Sequence, residues 1–213
     1  MKGFITYIKG DYELAKKWYS ASGEYHECFM YPSNLYKEYD IPVKLHDTVN
    51  IQIGNSADPA NNHLKILEKL EQYKDENIKI YAPLSYGDME YAKMIADKGK
   101  ETFGEKFVAM LDFMPFEEYM RFLGEIDIAI FFHKRQQAMG NIVTLLGLGK
   151  KVYMRSDITS WQLFEDIDVK VFDVGNIEID LIDEQIKKEN QEKVKEYFSK
   201  ENYLQQLNNL FES

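Results

Sequence analysis

From Asp47 onwards, short β-branched runs alternate with segments of helical period, and this alternation restricts the fold more than any other feature. Val49-Asn50-Ile51-Gln52-Ile53-Gly54 reads as a strand that stops at a glycine. Asn61 to Tyr73 sets Leu64, Leu67 and Leu70 on one helical face, with Ile66 and Tyr73 beside it. Ile78 to Ala82 is a second strand, closed by Pro83. Asp88 can cap a helix to about Phe103 whose buried face carries Tyr91, Met94 and Ile95. Phe107 to Leu111 is a third strand. Pro115 opens a short helix through Leu123, where a missing N–H costs nothing. Asp127 to Phe131, Lys151 to Met154 and Val169 to Phe172 continue the strands, with helices at Gly140 to Leu148 and Trp161 to Ile167 between them. Parallel strands need such crossovers, so the expected fold is α/β: a Rossmann-like, doubly wound parallel sheet over residues 46–175.

The flanks differ. Residues 176–213 are charged and strand-free, and Val194, Tyr197, Phe198, Leu204, Leu207 and Phe211 suggest amphipathic C-terminal helices. Residues 1–45 hold one strand (Phe4 to Ile8), a helix (Asp11 to Trp18) and an extended stretch around Tyr31-Pro32, too little for a domain.

Composition narrows the partners. The 213 residues are 45% hydrophobic, enough for a substantial core. A net charge of −10 argues against non-specific nucleic-acid binding, which needs a basic face, but not against a small anion in one positive pocket. Cys28 is the only cysteine, so no internal disulfide or cysteine zinc cluster can form, and a reducing compartment is expected. The amino terminus lacks a signal-peptide core, and the longest apolar run, Ile128 to Phe132, is far below the roughly 20 residues of a membrane span. The expectation is a cytoplasmic chain, at most peripheral to the inner face of the cell membrane.

Ligands of open parallel sheets bind beyond the carboxyl ends of the strands, so the loops there carry the candidate chemistry. In Gly54-Asn55-Ser56-Ala57-Asp58-Pro59-Ala60-Asn61-Asn62-His63, small and amide residues let backbone N–H groups approach an anion, or serve simply as turn residues. In Pro83-Leu84-Ser85-Tyr86-Gly87-Asp88, Ser85 can reach a phosphate or sugar hydroxyl and Tyr86 can stack on a ring, although a turn and the Asp88 cap explain the segment as well. Phe132-His133-Lys134-Arg135-Gln136-Gln137-Ala138-Met139-Gly140-Asn141 is the most informative. Here an apolar strand runs into a cation, two amides and a glycine that opens a helix. Arg135 offers a donor fork suited to a diphosphate, and the helix N-terminus at Gly140-Asn141 adds partial positive charge. His133 in the same loop can donate to a phosphate, or serve as a surface or satisfied core histidine. Ser156 to Trp161 reads equally as a nucleotide contact and as an N-cap.

Other candidates weaken. His26, His46, His63 and His133 are scattered, and none stands at metal-ligand spacing. Asp166-Ile167-Asp168 precedes a strand instead of following one, so it reads as solvated surface. Neither a Gly-x-Ser-x-Gly elbow nor a Cys–His pairing suggests a hydrolase.

Ile53 to His63, Arg135 to Asn141 and Phe198-Ser199-Lys200-Glu201-Asn202-Tyr203-Leu204 together resemble the TDP-N-acetylfucosamine:lipid II N-acetylfucosaminyltransferase family (4-α-L-fucosyltransferase family) over nearly the whole chain. The resemblance implies a GT-B fold, two Rossmann-like domains facing across a cleft, with the sugar nucleotide held in the second. It implies no cofactor and no essential metal. On that basis residues 1–45 correspond to a remnant of the acceptor domain and the crossing segment, 46–175 to the donor domain and 176–213 to C-terminal helices. The implied reaction moves a deoxyaminosugar such as N-acetylfucosamine from a nucleotide-diphosphate sugar, dTDP-linked, to a lipid-linked glycan in surface-glycan synthesis. Arg135, Gln136, Gln137, Gly140, Asn141, Gly54, Asn55 and Ser56 would hold the diphosphate; His63, Ser85, Tyr86 and His133 would meet the nucleotide or sugar. Most of the first domain is missing from the pattern, and the acceptor and the catalytic base would belong to it. Two alternatives stay open: a non-catalytic sugar-nucleotide-binding module, and a nucleotide-sugar epimerase, which needs its own acid and base.

Overall fold

A computed structural model describes residues 3–39, 41, 44 and 47–212. His46 and the boundary at residues 45 and 46 lie outside the described residues. The amino-terminal part contains β1 (Gly3–Ile5), α1 (Lys9–Tyr19) and β2 (Glu24–His26). β1 and β2 pair in parallel as a separate two-stranded sheet, so a second strand stands where the sequence reading expects only one.

The main unit follows the alternation read from the sequence. It comprises β3 (Val49–Ile53), α2 (His63–Leu70), β4 (Ile78–Pro83), α3 (Met89–Phe103), β5 (Phe107–Met110), α4 (Phe116–Glu125) and β6 (Ile128–Phe131). Then come α5 (Met139–Gly147), β7 (Lys151–Met154), α6 (Thr159–Asp166), β8 (Phe172–Asp173), α7 (Glu184–Tyr197) and α8 (Lys200–Glu212). Six parallel strands form one sheet in the order β5-β4-β3-β6-β7-β8. The chain winds outward from β3 in one direction, then restarts at β6 on the other side. That reversal opens a crevice between the carboxyl ends of β3 and β6.

Strand composition explains why both faces are covered. In β6 every residue is buried, and alternate side chains point to opposite faces. Ile128 and Ile130 join the core with Ile66, Ile80 and Ile95, while Ala129 and Phe131 join the other with Ile142, Leu145 and Phe164.

Three helix faces and one strand differ from the sequence reading. Leu64 is exposed, and α2 instead buries His63, Ile66, Leu67 and Leu70. A 3-10 turn at Pro59–Asn61 and a left-handed Asn62 (φ 55°) start the helix at His63, which resets its phase. Met94 is exposed and Tyr91 only partly buried, because α3 turns Ala92, Ile95, Gly99 and Phe103 inward. Leu204 and Phe211 of α8 are also exposed. The last strand is two residues long and starts at Phe172; Val169 and Val171 are buried as core residues ahead of it. The expected Asp88 cap is present: its Oδ1 accepts from the Glu90 and Tyr91 amides at 2.9 and 3.0 Å.

Both flanks are built into one core of the main unit. Phe29 packs on Tyr7, Tyr197 and Phe198 with ring centroids 4.9, 5.4 and 5.5 Å apart. The Tyr36 amide donates to the Phe198 carbonyl at 3.0 Å, and the Phe29 amide to Gln206 Oε1 at 3.0 Å. Thr159 Oγ1 at the start of α6 donates to Asp11 of α1 at 2.6 Å.

Candidate functional site

Loop packing at the carboxyl edge begins with two glycines. Gly54 ends β3 with φ 62°, and a Cβ there would run into His63 Nε2. Gly87 has φ 115°, and a Cβ would lie 2.8 Å from the Ala57 carbonyl carbon. This close approach lets the loops after β3 and β4 pair directly: the Ala57 amide donates to Tyr86 O at 2.8 Å and the Asp88 amide to Ala57 O at 3.1 Å.

Across the crevice the loop after β6 meets this paired edge. The Gly54 amide donates to Ile130 O at 2.9 Å. Arg135 Nη2 donates to Asp58 Oδ2 at 2.9 Å, and Gln137 Nε2 to Asn55 Oδ1 at 3.3 Å. Asn55 Nδ2 in turn donates to the Tyr86 hydroxyl at 3.0 Å. Beside this network lies a cavity of about 260 Å³ lined by Asn55, Ser85, Tyr86, Met110, Asp112, Phe113, Met114, Phe116, Tyr119 and Asn141, with Pro83 behind. Mainly apolar walls with a few convergent polar groups are the usual make-up of a small-molecule site. The adjoining α5 starts after a left-handed Ala138 (φ 59°), with no side-chain cap and no acid in its first turn. Its amino end thus carries no side-chain anion of its own.

The sequence candidates divide accordingly. Asn55, Ser85, Tyr86 and Asn141 line the cavity, Gln137 is bonded to one of its walls, and Arg135 stands at the crevice with 65% of its side chain exposed. Gly54 and Ser56 are buried as loop frame, and Ser56 Oγ accepts from Asn61 Nδ2 at 3.2 Å. Gln136 turns toward the amino-terminal segment, donating to the Tyr7 hydroxyl at 3.0 Å. Gly140 lies in the first turn of α5, close to Asn34 and Ser33. His63 and His133 have no exposed surface, and neither side chain lines the cavity. His133 Nδ1 pairs with the Arg135 carbonyl at 2.9 Å, so this histidine shapes the loop that carries Arg135. Asp168 of the acid pair is bonded to Lys193 at 2.8 Å.

The sequence reading misses two sets of residues. Met110, Asp112, Phe113, Met114, Phe116 and Tyr119 come from the loop after β5 and from α4; the rule of searching after each strand would have found the Asp-Phe-Met stretch. Asp58, the partner of Arg135, stands in a quoted loop but carries no charge-pairing signal of its own.

Burial holds both loop histidines neutral: desolvation pushes His63 and His133 down to about 4. In the unfolded chain they titrate near 6.5, so between pH 6.5 and 4 the unfolded state binds more protons. Their contribution is complete above about pH 6.5 and is lost as pH falls toward 4. The unfolding free energy from urea titrations should therefore drop between pH 7.5 and 5, on the order of 1–2 kcal/mol for each histidine. A His63→Gln variant should show a smaller drop, and an unchanged slope would count against the assignment.

Three solved structures share this fold. Sucrose-phosphate synthase from Thermosynechococcus elongatus matches with a TM-score of 0.68 at 12% identity, over 99% of this chain and 57% of the other. TarM matches with 0.67 at 16% identity, over 99% of this chain and 43% of the other. WaaG, described as a glycosyltransferase involved in lipopolysaccharide biosynthesis, matches with 0.58 at 12% identity, over 93% and 59%. The chain thus spans roughly half the length of these proteins. The parallel sheet, its flanking helices and the crevice at its reversal point are those of a Rossmann-like domain of GT-B glycosyltransferase type. Within that class, the sequence pattern described as 4-alpha-L-fucosyltransferase, glycosyl transferase group 56, matches residues 3–213. The chain belongs to this family.

Proposed function

We propose that this chain is the donor-binding half of a glycosyltransferase, with residues 46–175 forming the donor domain. It holds a nucleotide-diphosphate sugar, dTDP-linked, and serves the transfer of a deoxyaminosugar such as N-acetylfucosamine to a lipid-linked glycan. The observation that carries the reading is the meeting of Arg135, the uncapped amino end of α5 and the aromatic cavity at one crevice. In this reading the nucleoside occupies the cavity and the diphosphate lies over Arg135 and the α5 amides. Breaking the glycosyl–phosphate bond leaves a nucleoside diphosphate whose negative charge grows as the bond lengthens. A guanidinium and fixed amide dipoles meet that charge without reorganising, and no metal enters the account. The acceptor and the base that takes its proton belong, in this proposal, to a second domain or chain acting at the cytoplasmic face of the membrane. Among the described residues no helix is long and apolar enough to cross a membrane.

Thermal unfolding with dTDP, UDP and GDP tests the donor reading. A ligand at about 100 times its Kd adds about 2.7 kcal/mol, which for a chain of this length raises the melting temperature by about 5–10 °C. dTDP should give the largest rise; no rise with any of the three would remove the reading.

A further inference from the structure

We propose that Asp58 is a resident anion for Arg135: it holds the guanidinium while the crevice is empty, competes with an incoming ligand, and so sets the affinity of the site for diphosphates over monophosphates. This rests on the reading that Arg135 meets the donor diphosphate.

The two oxygens of Asp58 have separate tasks. Oδ1 accepts from the Ala60 amide at 2.8 Å and caps the 3-10 turn, which fixes the carboxylate in the loop after β3. Oδ2 accepts from Arg135 Nη2 at 2.9 Å, across the crevice from the loop after β6. The pair is open to solvent, with 65% of the arginine and 35% of the aspartate side chain exposed, so it is weak and readily exchanged. Its geometry also leaves the arginine mostly free. Of the five N–H donors of a guanidinium, one goes to Asp58. The contrast is Arg155 at the end of β7, whose fork is closed by Asp157 through two bonds of 2.8 and 2.6 Å and which also lies over the Phe132 ring. Arg155 is held by both oxygens of its aspartate and by a ring, whereas Arg135 is held by one replaceable oxygen.

A ligand anion at Arg135 therefore meets a carboxylate already in place. A monophosphate has little advantage over it. A diphosphate, with more charge and more acceptor oxygens, can use the remaining donors and displace it. After transfer the same carboxylate is available to take Arg135 back as the nucleoside diphosphate leaves.

Asp58→Asn tests this, because asparagine keeps a capping oxygen for Ala60 while removing the charge. Asp58→Ser is a second variant that also caps. By calorimetry at low salt, both should bind pyrophosphate and dTDP about three- to tenfold tighter than the wild type. Most of the gain should vanish at about 0.5 M salt. dTMP should gain more than dTDP, and Asp58→Asn should add nothing on an Arg135→Ala background. Equal or weaker pyrophosphate binding by both variants overturns the proposal, as does the absence of pyrophosphate binding in wild type and variants alike. Tighter pyrophosphate binding with no nucleotide binding leaves Asp58 in its role and removes the sugar-nucleotide reading. Tighter dTDP binding in both variants supports the two together.

Discussion

Replacing Arg135 with alanine is expected to weaken binding of a nucleoside diphosphate by about 30- to 150-fold, from the loss of about 2–3 kcal/mol of charge-assisted hydrogen bonding. Folding should barely respond. The guanidinium is 65% exposed and makes one bond, to Asp58, so its contribution to stability is below about 1 kcal/mol. The two readouts separate a ligand contact from a structural one. Isothermal calorimetry with dTDP and a urea titration on the same preparation measure both. A variant that binds normally would remove Arg135 from the site, and one with a clearly lower urea midpoint would make it a loop strut. Arg135→Lys should recover only part of the affinity, since an ammonium keeps the charge but not the planar fork.

The second large effect is on stability. Phe198 has no exposed surface and touches Phe29, Phe164 and Tyr197, with centroids 5.5, 6.4 and 5.0 Å away. It joins the amino-terminal segment, α6 and the end of α7 at one point. Phe198→Ala should cost about 3–5 kcal/mol, a melting temperature lower by about 10 °C or more. Phe211→Ala serves as the control, because that ring is exposed and its loss should stay within about 0.5 kcal/mol. A Phe198 variant with the wild-type urea midpoint would show that the flanks do not share the core.

How far the sequence carries these conclusions depends on the kind of signal. The parallel sheet is legible because β-branched runs such as Ile128 to Phe131 are apolar on both faces, as buried parallel strands must be. Helix existence is legible as well, but phase is less so: the left-handed Asn62 moves the start of α2, and with it Leu64 from the inner to the outer face. Strand β2 escapes because Glu24-Tyr25-His26 has no β-branched residue and is defined only by its neighbour β1. In the crevice, Asn55, Gln137 and Asn141 can be located because they follow strands. The burial of His63 and His133 cannot, since a histidine after an apolar strand looks the same whether it faces solvent or core. Tyr119 is invisible for a similar reason. It reaches the cavity only because α4 packs beside the sheet, a contact between residues with no local pattern in common.

The bond between Phe29 and Gln206 spans 177 positions of sequence. Closing so long a loop is slow, and its entropy must be spent before the contact returns anything. During synthesis, residues 3–39 are made before α7 and α8, so Phe29 has Tyr7 beside it early but gains Tyr197, Phe198 and Gln206 only when those helices exist. This segment therefore waits, with Phe29 only partly covered, until α7 and α8 have been made. The strands from β3 to β7 have no such delay and can assemble as they appear. A protease pulse during refolding should accordingly cut near Tyr25 to Tyr31 long after the sheet has become resistant.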